Sequence, residues 1–300
     1  MIGGVISEIR RFCTHDGDGI RTTIALKGCP LRCKWCHNPE TVSIKPTIAF
    51  AAAKCTACGR CARICKSGVH EIRDGRHVLR RDECTGRGEC VWACPSSALR
   101  LYGERITAAE AVKTALSDRP FFDRSGGGVT ISGGEPLFQS EFSLEIARLL
   151  KSEGVSVMLD TGGFAEREVL AKFLPLTDKF LYDLKVIDPK KHRDFTGVDN
   201  KIILDNLAFL TERGADIEIR TPVIPGVNDY ARDFIAAADY LKSIGFKGKV
   251  KLLPFNSYAA AKYTALGLEY PFAAEKRQSP EKMRESAGAY EKAGLDVVIG

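Results

Sequence analysis

The sequence lacks the features that mark membrane, secreted and nucleic-acid-binding proteins. Its apolar runs are far too short to span a bilayer, and residues 1–10 do not join a basic head to an apolar core. Basic residues occur only as short pairs, without the extended cluster that binds nucleic acid. We therefore expect a cytoplasmic protein that binds neither membranes nor nucleic acid.

Histidine is scarce, and cysteine is absent from most of the chain. The 5 histidines show no pairing suited to acid–base catalysis. Ten of the 11 cysteines lie between Cys29 and Cys94, and the final 200 residues have none. A disulfide framework would not be confined in this way, so a reducing compartment and metal ligation fit better. Because ligating thiols are deprotonated, the formal charge of +6 falls when metal is bound.

Three cysteines between Cys29 and Cys36 have the spacing C-x3-C-x2-C. Three thiolates can hold three irons of a four-iron cluster and leave the fourth iron open. The alternative is a structural zinc site, which usually takes a fourth protein ligand. His37 directly follows Cys36 and is too close for the common zinc spacings. We therefore favour a cluster with one open iron.

Residues 45–100 hold two further groups of cysteines. The first has the complete spacing of bacterial ferredoxins, and the second repeats it in part. In two-cluster ferredoxins the fourth cysteine of each run ligates the other cluster. The cysteines expected to hold one auxiliary four-iron cluster are therefore Cys55, Cys58, Cys61 and Cys94. Those left for a second auxiliary cluster are Cys65, Cys84 and Cys90.

The second auxiliary cluster lacks one expected cysteine, because Arg87 stands in its place. Arginine stays protonated and has no lone pair for iron. A site with three cysteines can hold a three-iron cluster, [3Fe-4S], or a four-iron cluster with another ligand on its last iron. The remaining cysteine, Cys13, is distant in sequence. We expect one complete auxiliary cluster and a second that is three-iron, labile or absent.

Strand-like and helix-like segments alternate from residue 101 to the end of the chain. This pattern predicts a parallel sheet with right-handed crossovers. Six such units indicate an α/β fold, a partial (β/α)6 barrel built from residues 1–44 and 101–300. Residues 45–100 form an inserted α+β, ferredoxin-like iron–sulfur domain. Residues 2–9 are expected to form an edge strand, and functional residues are expected at the C-terminal strand ends.

Polar motifs do follow the predicted strands. They are Gly133-Gly134-Glu135, Asp160-Thr161, Asp183-Leu184-Lys185, Arg220 and Asn256. Glycine lets a strand end approach a ligand closely, and carboxylate oxygens suit a hard cation. A plain turn at Gly133-Gly134-Glu135 and a salt bridge between Asp183 and Lys185 are the structural alternatives.

The segment from Asp16 to Cys36 resembles the signature of glycyl-radical-enzyme activating enzymes. These belong to the radical S-adenosylmethionine (SAM) superfamily and include pyruvate formate-lyase activating enzyme. The resemblance is carried by Asp16-Gly17-Asp18-Gly19-Ile20-Arg21, Gly28 and the three cysteines. Ala25 departs from it, since an aromatic residue is usual there. The insert is similar to that of the branches that activate decarboxylases, dehydratases, benzylsuccinate synthase and C–N or C–S lyases.

The resemblance implies roles for individual residues. Cys29, Cys33 and Cys36 would be the catalytic cluster ligands. The residues implied to bind SAM are Trp35, Cys36, His37, Gly133, Gly134, Glu135, Asp160, Thr161, Asp183, Leu184, Lys185, Arg220 and Asn256. Three of these would also hold a monovalent cation, namely Asp160, Thr161 and Asp183. Asn256 stands where the family often has a histidine. Asp16 would lie near the partner peptide, although a turn explains it equally well.

The implied function is that of an oxidoreductase. It would cleave SAM reductively to a 5′-deoxyadenosyl radical, which takes a hydrogen atom from a backbone glycine of a partner glycyl radical enzyme. A flavodoxin or ferredoxin would supply electrons, and the free protein would be monomeric. Two alternatives stay open: a radical SAM enzyme acting on a small molecule or another peptide, and an iron–sulfur electron carrier. Cleavage of SAM separates the carrier from both enzymes.

Overall fold

The structure is a computed structural model that describes residues 2–300. Its strands are β1 (Gly3–Cys13), β2 (Arg21–Leu26), β3 (Thr47–Phe50), β4 (His70–Arg73), β5 (Arg76–Leu79), β6 (Leu99–Tyr102), β7 (Glu104–Thr107), β8 (Gly128–Gly133), β9 (Ser156–Thr161), β10 (Lys179–Asp183), β11 (Ile217–Val223), β12 (Lys249–Pro254) and β13 (Asp296–Ile299). Its helices are α1 (Arg60–Ile64), α2 (Glu89–Trp92), α3 (Ala108–Leu116), α4 (Arg119–Ser125), α5 (Ser140–Ser152), α6 (Arg167–Phe173), α7 (Pro189–Thr196), α8 (Lys201–Glu212), α9 (Ala231–Ser243), α10 (Ala260–Leu266) and α11 (Pro280–Lys292). Among residues 2–300, no helix is long and apolar enough to cross a membrane.

One nine-stranded sheet forms the body of the molecule, in the order β13-β12-β11-β10-β9-β8-β2-β1-β7. Seven strands of this sheet run parallel to one another, namely β2 and β8 to β13. In contrast, β1 is antiparallel to both β2 and β7. The expected α/β fold with a central parallel sheet is therefore present. The sheet is open, with β7 and β13 at its two edges.

The expected edge position of residues 2–9 is wrong. Residues 3–6 pair on their outer side with residues 104–107, so β7 is the edge strand instead. The chain stays extended as far as Thr107, which caps α3. The Thr107 side chain accepts the Glu110 N–H at 3.2 Å, and the Glu110 side chain accepts the Thr107 N–H at 2.9 Å.

Side-chain alternation sorts the parallel strands into an apolar and a polar face. In β8, Val129 and Ile131 belong to the main hydrophobic core, and in β9 so do Val157 and Leu159. Successive side chains of a strand point to opposite faces. The intervening side chains of β8 and β9, and likewise those of β10 and β11, therefore face the inside of the open barrel. They include Thr130, Ser132, Asp160, Asp183, Glu218 and Arg220.

Residues 47–102 form a small unit outside the main sheet. β3 pairs with β6, β4 pairs with β5, and the short helices α1 and α2 pack against each other. Its main apolar cluster has three buried members, Ile48, Cys90 and Leu99, and its other buried apolar residues are Ala49, Val69, Ala98 and Tyr102. So small a core buries little apolar surface. We therefore expect bound metal to contribute much of the stability of this unit.

The Asp16–Arg21 segment is fastened inside the barrel by a buried arginine. The Arg21 guanidinium donates to Thr130 Oγ1 and to the Val129 carbonyl, both at 2.7 Å. Burial lowers the pKa of Arg21 to about 10, so it stays charged at neutral pH. The Asp16 carboxylate accepts the Thr23 hydroxyl at 2.6 Å. These contacts fix the loop that the sequence signature begins with.

We expect Arg21→Met to lower the free energy of unfolding by about 3 kcal/mol, because it leaves buried acceptors without a donor. Arg124→Met, at an exposed position of α4, is the matched control and should change it by less than about 0.5 kcal/mol. Anaerobic urea denaturation measures both values. Equal stability of the two variants would show that Arg21 does not anchor the loop.

Candidate active site at the carboxyl ends of the parallel strands

A cavity of about 550 Å³ opens where the parallel strands end. Its volume is typical of small-molecule sites. The expected site residues that line it are Asp16, Cys29, Cys33, Trp35, Cys36, His37, Gly133, Gly134, Glu135, Asp160, Asp183, Lys185, Arg220 and Asn256. Two expected residues do not line it. Thr161 is buried behind Glu135, and Leu184 packs into the main core at 2% exposure.

The structure adds lining residues that the sequence analysis missed. Ser132 donates its hydroxyl to Asp160 at 2.6 Å, and Gly162 and Arg277 also face the cavity. Ser132 directly precedes Gly133, so its place at a strand end could have identified it. Arg277 lies in an irregular stretch between α10 and α11, where no motif or periodicity marks it.

The three clustered cysteines lie on a loop that is held by backbone hydrogen bonds. The Gly28 N–H donates to the Thr41 carbonyl at 2.7 Å, and the Cys36 N–H donates to the Cys33 carbonyl at 3.0 Å. Burial raises the pKa of both Cys29 and Cys33 to about 12. The free thiols are therefore protonated, and ligation must release their protons.

The donor set around this loop fits a cluster with three cysteine ligands. All three thiols face one cavity. Burial lowers the pKa of His37, and the Asn256 backbone opposes this shift. His37 and Asn256 both line the cavity, which fits the expectation that they lie beside SAM.

The Glu135 carboxylate joins the ends of β8 and β9. It accepts the Thr161 hydroxyl at 2.6 Å and the Gly162 N–H at 2.8 Å. Burial raises the pKa of Glu135 to about 7, although these hydrogen bonds and the Lys185 charge oppose the shift. The side chain is therefore a structural brace, which leaves the Gly133-Gly134 backbone to face the cavity.

Gly133 and Gly134 are close to the cluster loop as well as to the cavity. A Cβ on Gly133 would lie 2.2 Å from the Leu26 nitrogen, and one on Gly134 would lie 2.3 Å from the Gly28 oxygen. Gly133 also has φ +121°, a conformation that side chains rarely adopt. The sequence predicts that these glycines let the strand end approach a ligand closely. In the structure, the backbone of Leu26 and Gly28 already lies against them.

Four charged side chains meet in the cavity. Arg220 Nη1 lies 3.8 Å from Asp160 Oδ1, and Lys185 is ion-paired with Asp183. Burial raises the pKa of Asp160, the Asp183 charge adds to this, and Arg220 opposes it. Although burial acts to lower it, the pKa of Lys185 is raised, chiefly by Asp183. The salt bridge between Asp183 and Lys185, which was the structural alternative to a ligand site, is present, and both residues line the cavity.

The auxiliary cysteines meet in two groups. Cys55, Cys58, Cys61 and Cys94 line one pocket, together with His77. Burial, then the neighbouring Cys84 and Cys65 thiols, raise the pKa of Cys90 to about 11. Arg87 points to solvent, where Nε lies 2.9 Å from Glu89. Cys13 lies opposite Arg21 at the start of β2, outside both groups.

We expect Gly133→Ala to destabilise the protein by about 3 kcal/mol, because its Cβ would strike the Leu26 backbone. Gly154→Ala is the control, since Gly154 also has a positive φ but no atom within 4 Å of an added Cβ. It should cost about 1 kcal/mol. Urea unfolding gives both values, and the iron content should fall only in Gly133→Ala. Equal costs would refute the contact argument.

Comparisons with known proteins identify the family and several relatives. A family model described as the radical SAM superfamily matches residues 23–241. The chain is 40% identical to choline trimethylamine-lyase activating enzyme of Oleidesulfovibrio alaskensis, over 89% of this chain and 88% of that protein. It is also 40% identical to benzylsuccinate synthase activating enzyme of Thauera aromatica, over 99% and 92% of the two chains.

Solved structures include one similar domain. The crystal structure of a domain of pyruvate-formate lyase-activating enzyme from Bacteroides vulgatus has a TM-score of 0.50 and 29% identity, and covers 58% of this chain and 99% of that one. The family model spans most of the chain, and the relatives match nearly its whole length. This chain therefore belongs to the glycyl-radical-enzyme activating enzymes of the radical SAM superfamily.

Proposed function

We propose that this protein activates a glycyl radical enzyme by radical SAM chemistry at the cavity described above. When bound, the four-iron cluster supplies one electron to the SAM sulfonium, which yields methionine and a 5′-deoxyadenosyl radical that takes hydrogen from a glycine Cα. The observation that supports this proposal most directly is that three cysteines, the glycine-rich strand end and several charged side chains line one cavity. No side-chain base is required.

The cavity wall would bind and orient SAM. Cys29, Cys33 and Cys36 would hold the cluster. The backbone at Gly133-Gly134 would receive the amino group. Lys185, a half-buried cation at the cavity wall, would pair with the carboxylate as a point charge.

The opposite end of SAM would meet a different part of the wall. Asn256 and His37, which line the same cavity, would contact the adenosine along with Trp35. An asparagine amide both donates and accepts hydrogen bonds, as ribose hydroxyls require. Arg220 lies deeper, where its Nη2 donates to the His15 carbonyl at 3.2 Å. It would link SAM to the loop that carries Asp16.

Asp16 is proposed to contact the partner peptide. Its carboxylate lines the same cavity as the three cysteines and is held by Thr23 at 2.6 Å. A peptide glycine must come close to the radical carbon for hydrogen transfer. A fixed carboxylate in this cavity could position the backbone amides of that peptide.

A monovalent cation would fit beside the SAM carboxylate. Asp160 and Asp183 both face the cavity, and two half-buried carboxylates favour a bound cation. The Thr161 hydroxyl is already bonded to Glu135 and accepts the Gly163 N–H at 2.9 Å. The two carboxylates are therefore the stronger proposed ligands.

We propose that residues 45–100 are a ferredoxin-like domain inserted into the barrel of residues 1–44 and 101–300. Support comes from the pocket that gathers cysteines of both runs, as a two-cluster ferredoxin requires. That pocket would hold one complete four-iron auxiliary cluster. Cys65, Cys84 and Cys90 would hold the second with three ligands, because Arg87 turns to solvent.

An acidic one-electron carrier, such as a flavodoxin or ferredoxin, is the proposed electron donor. Residues 45–100 contain 11 lysines and arginines and 5 acidic residues, so this segment carries the whole formal excess of +6. Trp92, between two auxiliary cysteines, is 92% exposed. Complementary charge speeds encounter, and exposed aromatic side chains often anchor protein interfaces.

We expect dithionite-reduced, reconstituted protein to form 5′-deoxyadenosine from SAM. Cys33→Ala should reduce the product to background, because the cluster loses a ligand. Cys13→Ala, a cysteine outside all three groups, should retain wild-type rates. Anaerobic chromatography measures the product. With the cognate partner present, the wild type should also produce a glycine-centred EPR doublet. No product from protein with a reducible three-cysteine cluster would overturn the proposal.

We expect wild-type protein to hold fewer than about twelve irons per chain, since the second auxiliary cluster lacks a ligand. Arg87→Cys should raise the count to about twelve, whereas Arg87→Lys should leave it unchanged. Anaerobic iron and sulfide analysis measures the counts. A stable count of twelve in the wild type would contradict the role assigned to Arg87.

A further inference from the structure

A buried histidine pair lies on the hairpin of β4 and β5. His70 Nδ1 and His77 Nε2 are 2.9 Å apart and share one hydrogen bond. The two rings stack with their centroids 5.0 Å apart, and Phe50 packs edge-on against His77 at 4.4 Å. His70 is 4% exposed. Stacking and the shared bond hold the His77 ring in one orientation.

The second nitrogen of each ring does not take part in the hydrogen bond between the two histidines. His70 Nε2 and His77 Nδ1 are buried and have no hydrogen-bond partner among residues 2–300. Two neutral imidazoles that share one hydrogen bond retain one more N–H. Buried polar groups nearly always have a partner, because an unpaired one costs free energy. The pair therefore indicates an acceptor supplied by something other than the described chain.

The auxiliary cysteines lie directly beside this pair. One nitrogen of each histidine and Cys61 Sγ all lie within 4.8 Å of one another. Of the two histidines, only His77 lines the pocket of Cys55, Cys58, Cys61 and Cys94. Each neutral imidazole has one nitrogen lone pair. A divalent ion bound by Cys61 and both histidines would need both lone pairs, but one of them already accepts the hydrogen bond between the rings. A hydrogen bond into the pocket leaves that arrangement intact.

We propose that His77 donates its Nδ1–H to a sulfur of the auxiliary cluster held in this pocket, and that His70 acts as a positioning residue. His70 would donate its Nδ1–H to His77 Nε2 and so place the proton of His77 on Nδ1. The proposal rests on the cluster assigned above. Hydrogen bonds to cluster sulfurs stabilise the more negative, reduced state. His77 therefore raises the reduction potential of this cluster, which favours its acceptance of an electron.

The test is an EPR-monitored redox titration of anaerobically reconstituted protein. The signal that disappears in Cys58→Ala identifies the cluster. His77→Phe keeps an aromatic ring against Phe50 but removes the donor, and should shift the midpoint potential downward. His77→Asn restores an N–H donor and should return the midpoint towards wild type. Val78→Thr, the adjacent and exposed position of β5, is the control and should not shift it.

Iron and sulfide content should be equal in wild type, His77→Phe, His77→Asn and Val78→Thr. A midpoint in His77→Phe equal to that of Val78→Thr would overturn the proposal, as would stoichiometric zinc that is lost from His77→Phe. Should His77→Phe fail to hold the cluster, His70→Phe decides, because it removes the residue that places the proton of His77 on Nδ1: a lowered midpoint supports the hydrogen bond and a wild-type midpoint refutes it. Unchanged iron and signal in Cys58→Ala would refute the cluster assignment itself, independently of SAM cleavage.

Discussion

Two backbone hydrogen bonds between the end of β8 and the cysteine loop are the contacts on which the site depends. The Gly134 N–H donates to the Leu26 carbonyl and the Glu135 N–H donates to the Gly28 carbonyl, both at 2.9 Å. They form only because the two glycines let the strands approach this closely. Through them, the loop that carries the thiols and the glycine-rich strand end become one wall of the cavity.

The charged groups of the cavity depend on the same wall. Glu135 braces β8 to β9, and the strands beyond deliver Asp160, Asp183 and Arg220 from their inward faces. Each buried charge has an opposite charge or a hydrogen-bond donor nearby, as burial requires. The site is therefore polar inside an otherwise apolar barrel, because every second residue of these strands faces inward.

Sequence reasoning predicted what is encoded locally. Cysteine spacing identified the cluster loop, and strand-end motifs such as Gly133-Gly134-Glu135 fall on the cavity because parallel strands end at one edge. The rest depends on tertiary structure. The pairing of β1 with β7 is a long-range contact, and Arg277 lies in a loop without periodicity. Strand alternation explains the burial of Leu184, although all three residues of Asp183-Leu184-Lys185 were expected at the cavity. The position of Cys13 is likewise fixed only by strand pairing.

The pairing of β3 with β6 determines how the small unit of residues 47–102 is attached. Thr47 lies opposite Tyr102, so the chain leaves and returns at a single neck. Lys27, at the end of β2, donates to the Glu40 carbonyl beside this neck. An appendage with adjacent ends is modular, because its removal need not disturb the sheet that carries it. Evolution could therefore add, lose or replace this unit while the sheet and its cavity stayed the same.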